Sequence, residues 1–141
     1  MGFFSDLKNK VTGGGATVRL SVPAVRRGQA AQVQVQVQAK ANGKVNAVYL
    51  LIRGVESASW KGENNTTVSN SKTSYENKVQ ISGAFELKEG QTYDFTGQLE
   101  LPANVNGSLR GSLINHLWEV QAGLDMTGND PDSGWVALDV S

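Results

Sequence analysis

AQVQVQVQA, running from Ala31 to Ala39, alternates small or β-branched apolar residues with glutamine. In an extended chain successive side chains point to opposite faces, so Ala31, Val33, Val35, Val37 and Ala39 share one face and the glutamines share the other. One face is dry and the other wet. That is the pattern of an antiparallel sheet covered on one side, whereas strands of a parallel sheet, buried on both faces, read as unbroken apolar runs. The segment directs the reading towards an all-β sandwich.

Outward from this strand, Thr17 to Val22 alternates with Val18, Leu20 and Val22 inward, and Pro23 with Arg26-Arg27-Gly28 makes the turn between the two. Asn42-Gly43 is a turn signal flanked by strand-like runs, which predicts a hairpin from the glutamine strand into VNAVYLLIRGV, Val45 to Val55. The greater apolarity of that run places it at the centre of a sheet. Lys61 to Lys78 is rich in Asn, Ser and Thr, with only Val68 and Tyr75 as larger apolar residues, and predicts a long polar excursion holding at most a poor edge strand. Val79, Ile81, Gly83, Phe85 and Leu87 share one parity. After Lys88-Glu89-Gly90 so do Tyr93, Phe95, Gly97, Leu99 and Leu101, which predicts a second hairpin ended by Pro102. A loop rich in Gly, Asn and Ser covers 103–112. Trp118, Val120, Ala122 and Leu124 then oppose Glu119 and Gln121, and Val136, Leu138 and Val140 line the last strand. Short strands separated by turns, with almost no helix, predict an immunoglobulin-like antiparallel β-sandwich.

A chain of 141 residues is sized for one domain. The expected division is a short amphipathic helix and glycine linker over 1–15 and the sandwich over 16–141. Phe3, Phe4 and Leu7 form the apolar side of that helix, and Thr12-Gly13-Gly14-Gly15 closes it. Capping the sandwich is its expected role, while weak contact with a membrane surface is the competing one. Asp6 stands where the myristoylation pattern wants a hydroxyl. The chain contains no cysteine, which excludes a disulfide framework and a thiolate zinc site and favours a reducing, cytoplasmic setting. No apolar h-region opens the chain, and no run approaches the roughly 20 apolar residues of a membrane span. Thirteen basic and thirteen acidic residues balance, without the basic footprint of a nucleic-acid binder. A protein partner is the expectation.

The opening FFSDLK, the pair of strands joined through NGKVNAVYLLIRG, the strand YDFTGQLELP and the late segment HLWEVQAGLDMTGNDPDSG together resemble the N-terminal domain of arrestin-like proteins. Within that superfamily the sequence is most similar to the bacterial sporulation-control proteins of arrestin fold. The resemblance runs from Phe3 to Val140 and is most specific over 93–132. It implies a regulatory adaptor or scaffold without catalysis or cofactor. Such proteins have two sandwich domains, so this chain is expected to be a one-domain relative or a fragment. An uncovered sheet edge would then be open to strand addition, including pairing into a homodimer.

Few residues carry chemistry. His116 is the only histidine and reads as a hydrogen-bonded residue at the start of a strand; no G-x-S-x-G elbow presents a serine to it. Gly13-Gly14-Gly15 fits neither phosphate-loop pattern. Asp125, Asn129, Asp130 and Asp132 offer oxygen ligands of the kind calcium takes, but without the EF-hand order, and Asp, Asn, Pro and Gly also suit a plain turn. Turn is the reading adopted, with no metal expected; a carbohydrate- or calcium-binding sandwich module is the alternative function. Trp118 shares core parity. Trp135 opposes the parity of Val136, Leu138 and Val140, and Trp60 lies where the third strand meets the polar excursion. With Phe3 and Phe4, these two tryptophans are the candidate protein-interface residues.

Overall fold

The computed structural model describes residues 15–141. The helix expected around Phe3 and Phe4 lies outside the described residues. Nine strands follow: β1 Ala16–Ser21, β2 Ala30–Ala39, β3 Gly43–Lys61, β4 Thr67–Ser82, β5 Phe85–Leu87, β6 Thr92–Glu100, β7 Leu109–Arg110, β8 Ile114–Met126 and β9 Val136–Leu138. They form two antiparallel sheets. The smaller has the order β1-β2-β6; the larger has β4-β3-β8-β7, with β5 also on β3 and β9 also on β8.

The glutamine strand takes the register its alternation predicts. Val33, Val35, Val37 and Ala39 are buried, the glutamines between them are exposed, and β2 lies between β1 and β6. Val45, Val48, Leu50 and Ile52 of β3 and Trp118, Val120, Ala122 and Leu124 of β8 supply the facing layer of the core. β3 is indeed central, flanked by β4 and β8.

Three sequence expectations are corrected. β2 and β3 do not form a hairpin: the chain crosses at Asn42-Gly43 to the other sheet, where β3 pairs with β4, β5 and β8. Asn42 Oδ1 accepts from Glu89 N–H at 2.8 Å, so this turn ties two crossovers together. Likewise Val79–Leu87 and Tyr93–Leu101 separate, with β5 on β3 and β6 on β2. Turn chemistry and parity are the same whether the next strand continues in one sheet or faces it from the other. The third correction is the largest. Lys61–Lys78 is no excursion, because β4 pairs with β3 from Val48↔Ser82 to Lys61↔Thr67. Asn64 and Asn65 make the tip with φ of 58° and 63°, a left-handed conformation that asparagine tolerates better than most residues. β4 lacks apolar alternation over 67–74, where every residue is exposed, and backbone pairing alone defines that half as a strand; Tyr75, Val79 and Ile81 further on pack against the core.

Strand lengths produce an overhang. At a rise of about 3.3 Å per residue, β3 runs about 60 Å while β2 runs about 33 Å. The inner row of β3 leaves the core cluster after Ile52 and continues as Gly54, Glu56, Ala58 and Trp60.

Candidate functional site

The overhanging inner face is walled into a groove of about 830 Å³. Ladder pairing builds its floor. Glu56 lies opposite His116, Ala58 opposite Ile114, Lys72 opposite Glu56 and Asn70 opposite Ala58. One wall is the 106–108 loop, latched in place by hydrogen bonds. Trp118 Nε1 donates to Asn106 O at 2.8 Å, Ser108 N to Val140 O at 2.8 Å, and Val140 N to Ser108 Oγ at 2.9 Å. Arg27 joins that wall, with Nη1 donating to Val105 O at 2.9 Å.

This end of the sheet carries uncovered apolar side chains. Leu109 is 53%, Leu113 58% and Ile114 59% exposed, with Trp60 and its ladder partner Val68 beside them. Of the exposed large hydrophobics among the described residues, only Trp135 lies elsewhere. A concentration of this kind marks interaction surfaces more often than scattered exposed residues do. Sequence reading singled out Trp60 but missed Leu109, Leu113 and Ile114. Ile114 has the same parity as Trp118, and only knowledge of where the smaller sheet stops separates groove from core.

At the inner end of the groove stands a hydrogen-bonded pair, the buried His116 and the exposed Ser74. His116, 5% exposed, directs Nδ1 at Gly107 O, 3.0 Å away. A carbonyl only accepts, so Nδ1 carries a proton; Ser74 Oγ lies 2.6 Å from Nε2, which accepts from the hydroxyl when the ring holds no second proton. Ser74 reaches it from a bulge. Gly54 pairs with Tyr75 and Val55 with Thr73, leaving Ser74 unpaired in the ladder and its side chain re-aimed. A Cβ at Gly54 would lie 3.0 Å from Ser74 Oγ and 3.2 Å from the Trp118 ring, so glycine makes the space for this contact. The single histidine is hydrogen-bonded, as its setting implied, but one of its partners is a serine that no sequence motif announces.

Trp135 sits on the opposite, outer face of the large sheet. It is 38% exposed, and the Arg53 guanidinium stacks over its ring at 3.9 Å while bonding to Glu119. Trp60 and Trp135 therefore do not belong to one surface. Phe3 and Phe4 lie outside the described residues.

The acidic segment folds back over the outer face. Asp130 Oδ2 accepts from Tyr49 Oη–H at 3.1 Å and Oδ1 from Met126 N–H at 3.1 Å, and Asp132 Oδ1 accepts from Gly134 N–H at 2.8 Å. Asn129 and Asp125 are exposed. Among the described residues no three His, Asp or Glu side chains converge as a metal site. Tyr49 lies beneath the segment, so close to Gly123 that a Cβ there would overlap its ring. Burial first, then the charge of Asp130 and its hydrogen bond, push the Tyr49 hydroxyl well above the ordinary tyrosine range.

Two facing antiparallel sheets, with chain crossovers between them and a long extended hairpin, make an antiparallel β-sandwich consistent with the arrestin-like fold. Among solved structures the chain is similar to Spo0M, a sporulation control protein from Bacillus subtilis. The TM-score is 0.65 at 17% identity, over 91% of this chain and 50% of that one. The chain thus spans half the length of the protein it matches, and the likeness is one of fold. No family model and no curated protein sequence matches it. Among the described residues no helix is long and apolar enough to cross a membrane.

Proposed function

We propose that this chain is a non-catalytic regulatory adaptor or scaffold that binds other proteins in the cytoplasm, with the overhanging groove as its binding site. The observation that carries the reading is the group of uncovered apolar side chains, Trp60, Val68, Leu109, Leu113 and Ile114, at one end of an otherwise well-buried sandwich. The occupant that fits is an extended segment of a partner, carrying bulky apolar side chains at alternate positions. A groove of about 830 Å³ takes a few side chains and not a folded domain. The regulatory part of the reading rests on likeness to a sporulation control protein. Edge pairing into a homodimer would use β4, whose outer edge joins no other strand among the described residues; Lys72, Glu76 and Lys78 along it are the charges that oppose such pairing.

Selection of displayed random peptides on the intact protein tests this. Enriched sequences should carry spaced bulky apolar residues, quench or shift Trp60 fluorescence on titration, and lose about tenfold or more in affinity to Ile114→Asp. Absence of enrichment, or equal binding to the variant, refutes the groove as the site.

A further inference from the structure

We propose that Ser74 is an acyl-acceptor site, its hydroxyl activated by His116 and the groove beside it receiving the apolar chain of an activated acyl donor. This goes beyond the adaptor reading and does not depend on it. An ordinary surface serine is a poor nucleophile because nothing removes its proton. It becomes one when a neutral imidazole accepts that proton and a third group fixes the ring. All three parts are present. The hydroxyl belongs to an exposed residue, Ser74. Its Oγ is 2.6 Å from His116 Nε2. The ring is buried and oriented through Nδ1–H to the Gly107 carbonyl.

Placement adds the substrate class. His116 lines the groove, and beyond it along the same inner row lie Ile114, Ala58 and Trp60. Ser74 adjoins the groove through His116, and an acyl chain on Ser74 Oγ would pass Glu56 and Lys72 to reach Ala58, Ile114 and Trp60. Glu56 lies opposite His116 on β3 and Lys72 opposite Glu56 on β4, and Arg27 also lines the groove.

The step balances without any further reagent. Ser74 Oγ attacks the carbonyl carbon of an acyl ester or thioester, and its proton passes to His116 Nε2. The new C–Oγ bond forms as the bond to the leaving oxygen or sulfur breaks, and His116 returns the proton to the leaving group. The product is acyl-Ser74, with the histidine neutral again.

The test uses the intact protein with p-nitrophenyl acetate and p-nitrophenyl octanoate. Release of nitrophenolate is followed together with intact mass and peptide mapping. The expected result is a single adduct on Ser74, formed at least about a hundredfold faster than on Ser69 or Ser71. Ser74→Ala should abolish it, and His116→Gln, checked for folding by Trp118 fluorescence, should slow it to the level of those neighbouring serines. The octanoyl ester should react faster than the acetyl ester, a preference lost in Ile114→Asp while acetylation persists. Adducts spread evenly over the exposed serines, or an unchanged rate in folded His116→Gln, overturn the activation. Absence of a chain-length preference overturns the assignment of the groove. Since the Ser69 and Ser71 comparison is made in the unmodified protein, misfolding of a variant leaves the proposal open to refutation.

Discussion

Val120 and Ile114 lie on the same strand and the same face, yet one substitution should cost far more at the first than at the second. Val120 is fully buried in the core, whereas Ile114 is 59% exposed on the overhang. Replacing each with threonine keeps the β-branch, so strand preference is nearly constant and burial is what differs. Val120→Thr is close to isosteric but places a hydroxyl in the core on the strand between Ile52 and Val136, at a cost of about 2 kcal/mol. Ile114→Thr loses a partly wetted methylene and methyl and should cost about 0.5 kcal/mol or less. With an unfolding entropy of about 2.1 cal/mol/K per residue, a chain of this length loses about 0.3 kcal/mol per degree at Tm. The expected falls are therefore about 7 °C for Val120→Thr and under about 2 °C for Ile114→Thr. Urea melts followed through the buried Trp118 give the free energies, and a thermal scan gives the shift. Equal losses would mean that the inner face beyond His116 is covered, and the reasoning that makes the overhang a groove would fail.

Tyr49→Phe removes the hydrogen bond to Asp130 and should cost about 1 kcal/mol at neutral pH, read by urea melting. Because the folded-state pKa of Tyr49 is raised, its contribution is complete below the unfolded value near 10. It falls as pH rises above that value, where the unfolded chain ionises first. Melts at alkaline pH should therefore show a smaller decline in Tyr49→Phe, and identical declines would contradict the assignment. Millimolar calcium should leave the melting temperature unchanged, since the Asp130 and Asp132 oxygens already accept backbone and tyrosine donors; a rise abolished by Asp130→Ala would favour the calcium-module alternative. Trp135→Ser should leave the mass in light scattering unaltered, and a change in mass would move the interface to the outer face.

How much of this was legible in the residues depended on whether a segment had an inside. Alternation placed Val33, Val35 and Val37 inward without ambiguity, because β2 has a covered face along its length. It did the same for Trp118 through Leu124. Alternation carries no sign of which sheet a strand joins, so Asn42-Gly43 read as a hairpin when it is a crossover. It also vanishes where a strand has water on both sides, which is why the first half of β4 read as a loop. The groove was hidden for a related reason. Leu109, Leu113 and Ile114 have the composition of core residues, and what exposes them is the shortness of β1, β2 and β6 on the facing sheet. The bond between Ser74 and His116 spans two strands and depends on a one-residue bulge, which no spacing in the sequence encodes. The tip of the long hairpin, by contrast, was written locally in Asn64-Asn65, though its neighbours disguised it.

The most direct measurement of the central claim places a photoreactive side chain at position 60, and in a second protein at position 135, and irradiates each in the cells that make it. A partner cross-linked at position 60 through an extended apolar segment, absent when Ile114→Asp is combined with the probe and absent from position 135, is the predicted result. Cross-links at position 135 alone, or at position 60 but indifferent to Ile114→Asp, would contradict the assignment of the overhanging groove as the binding site.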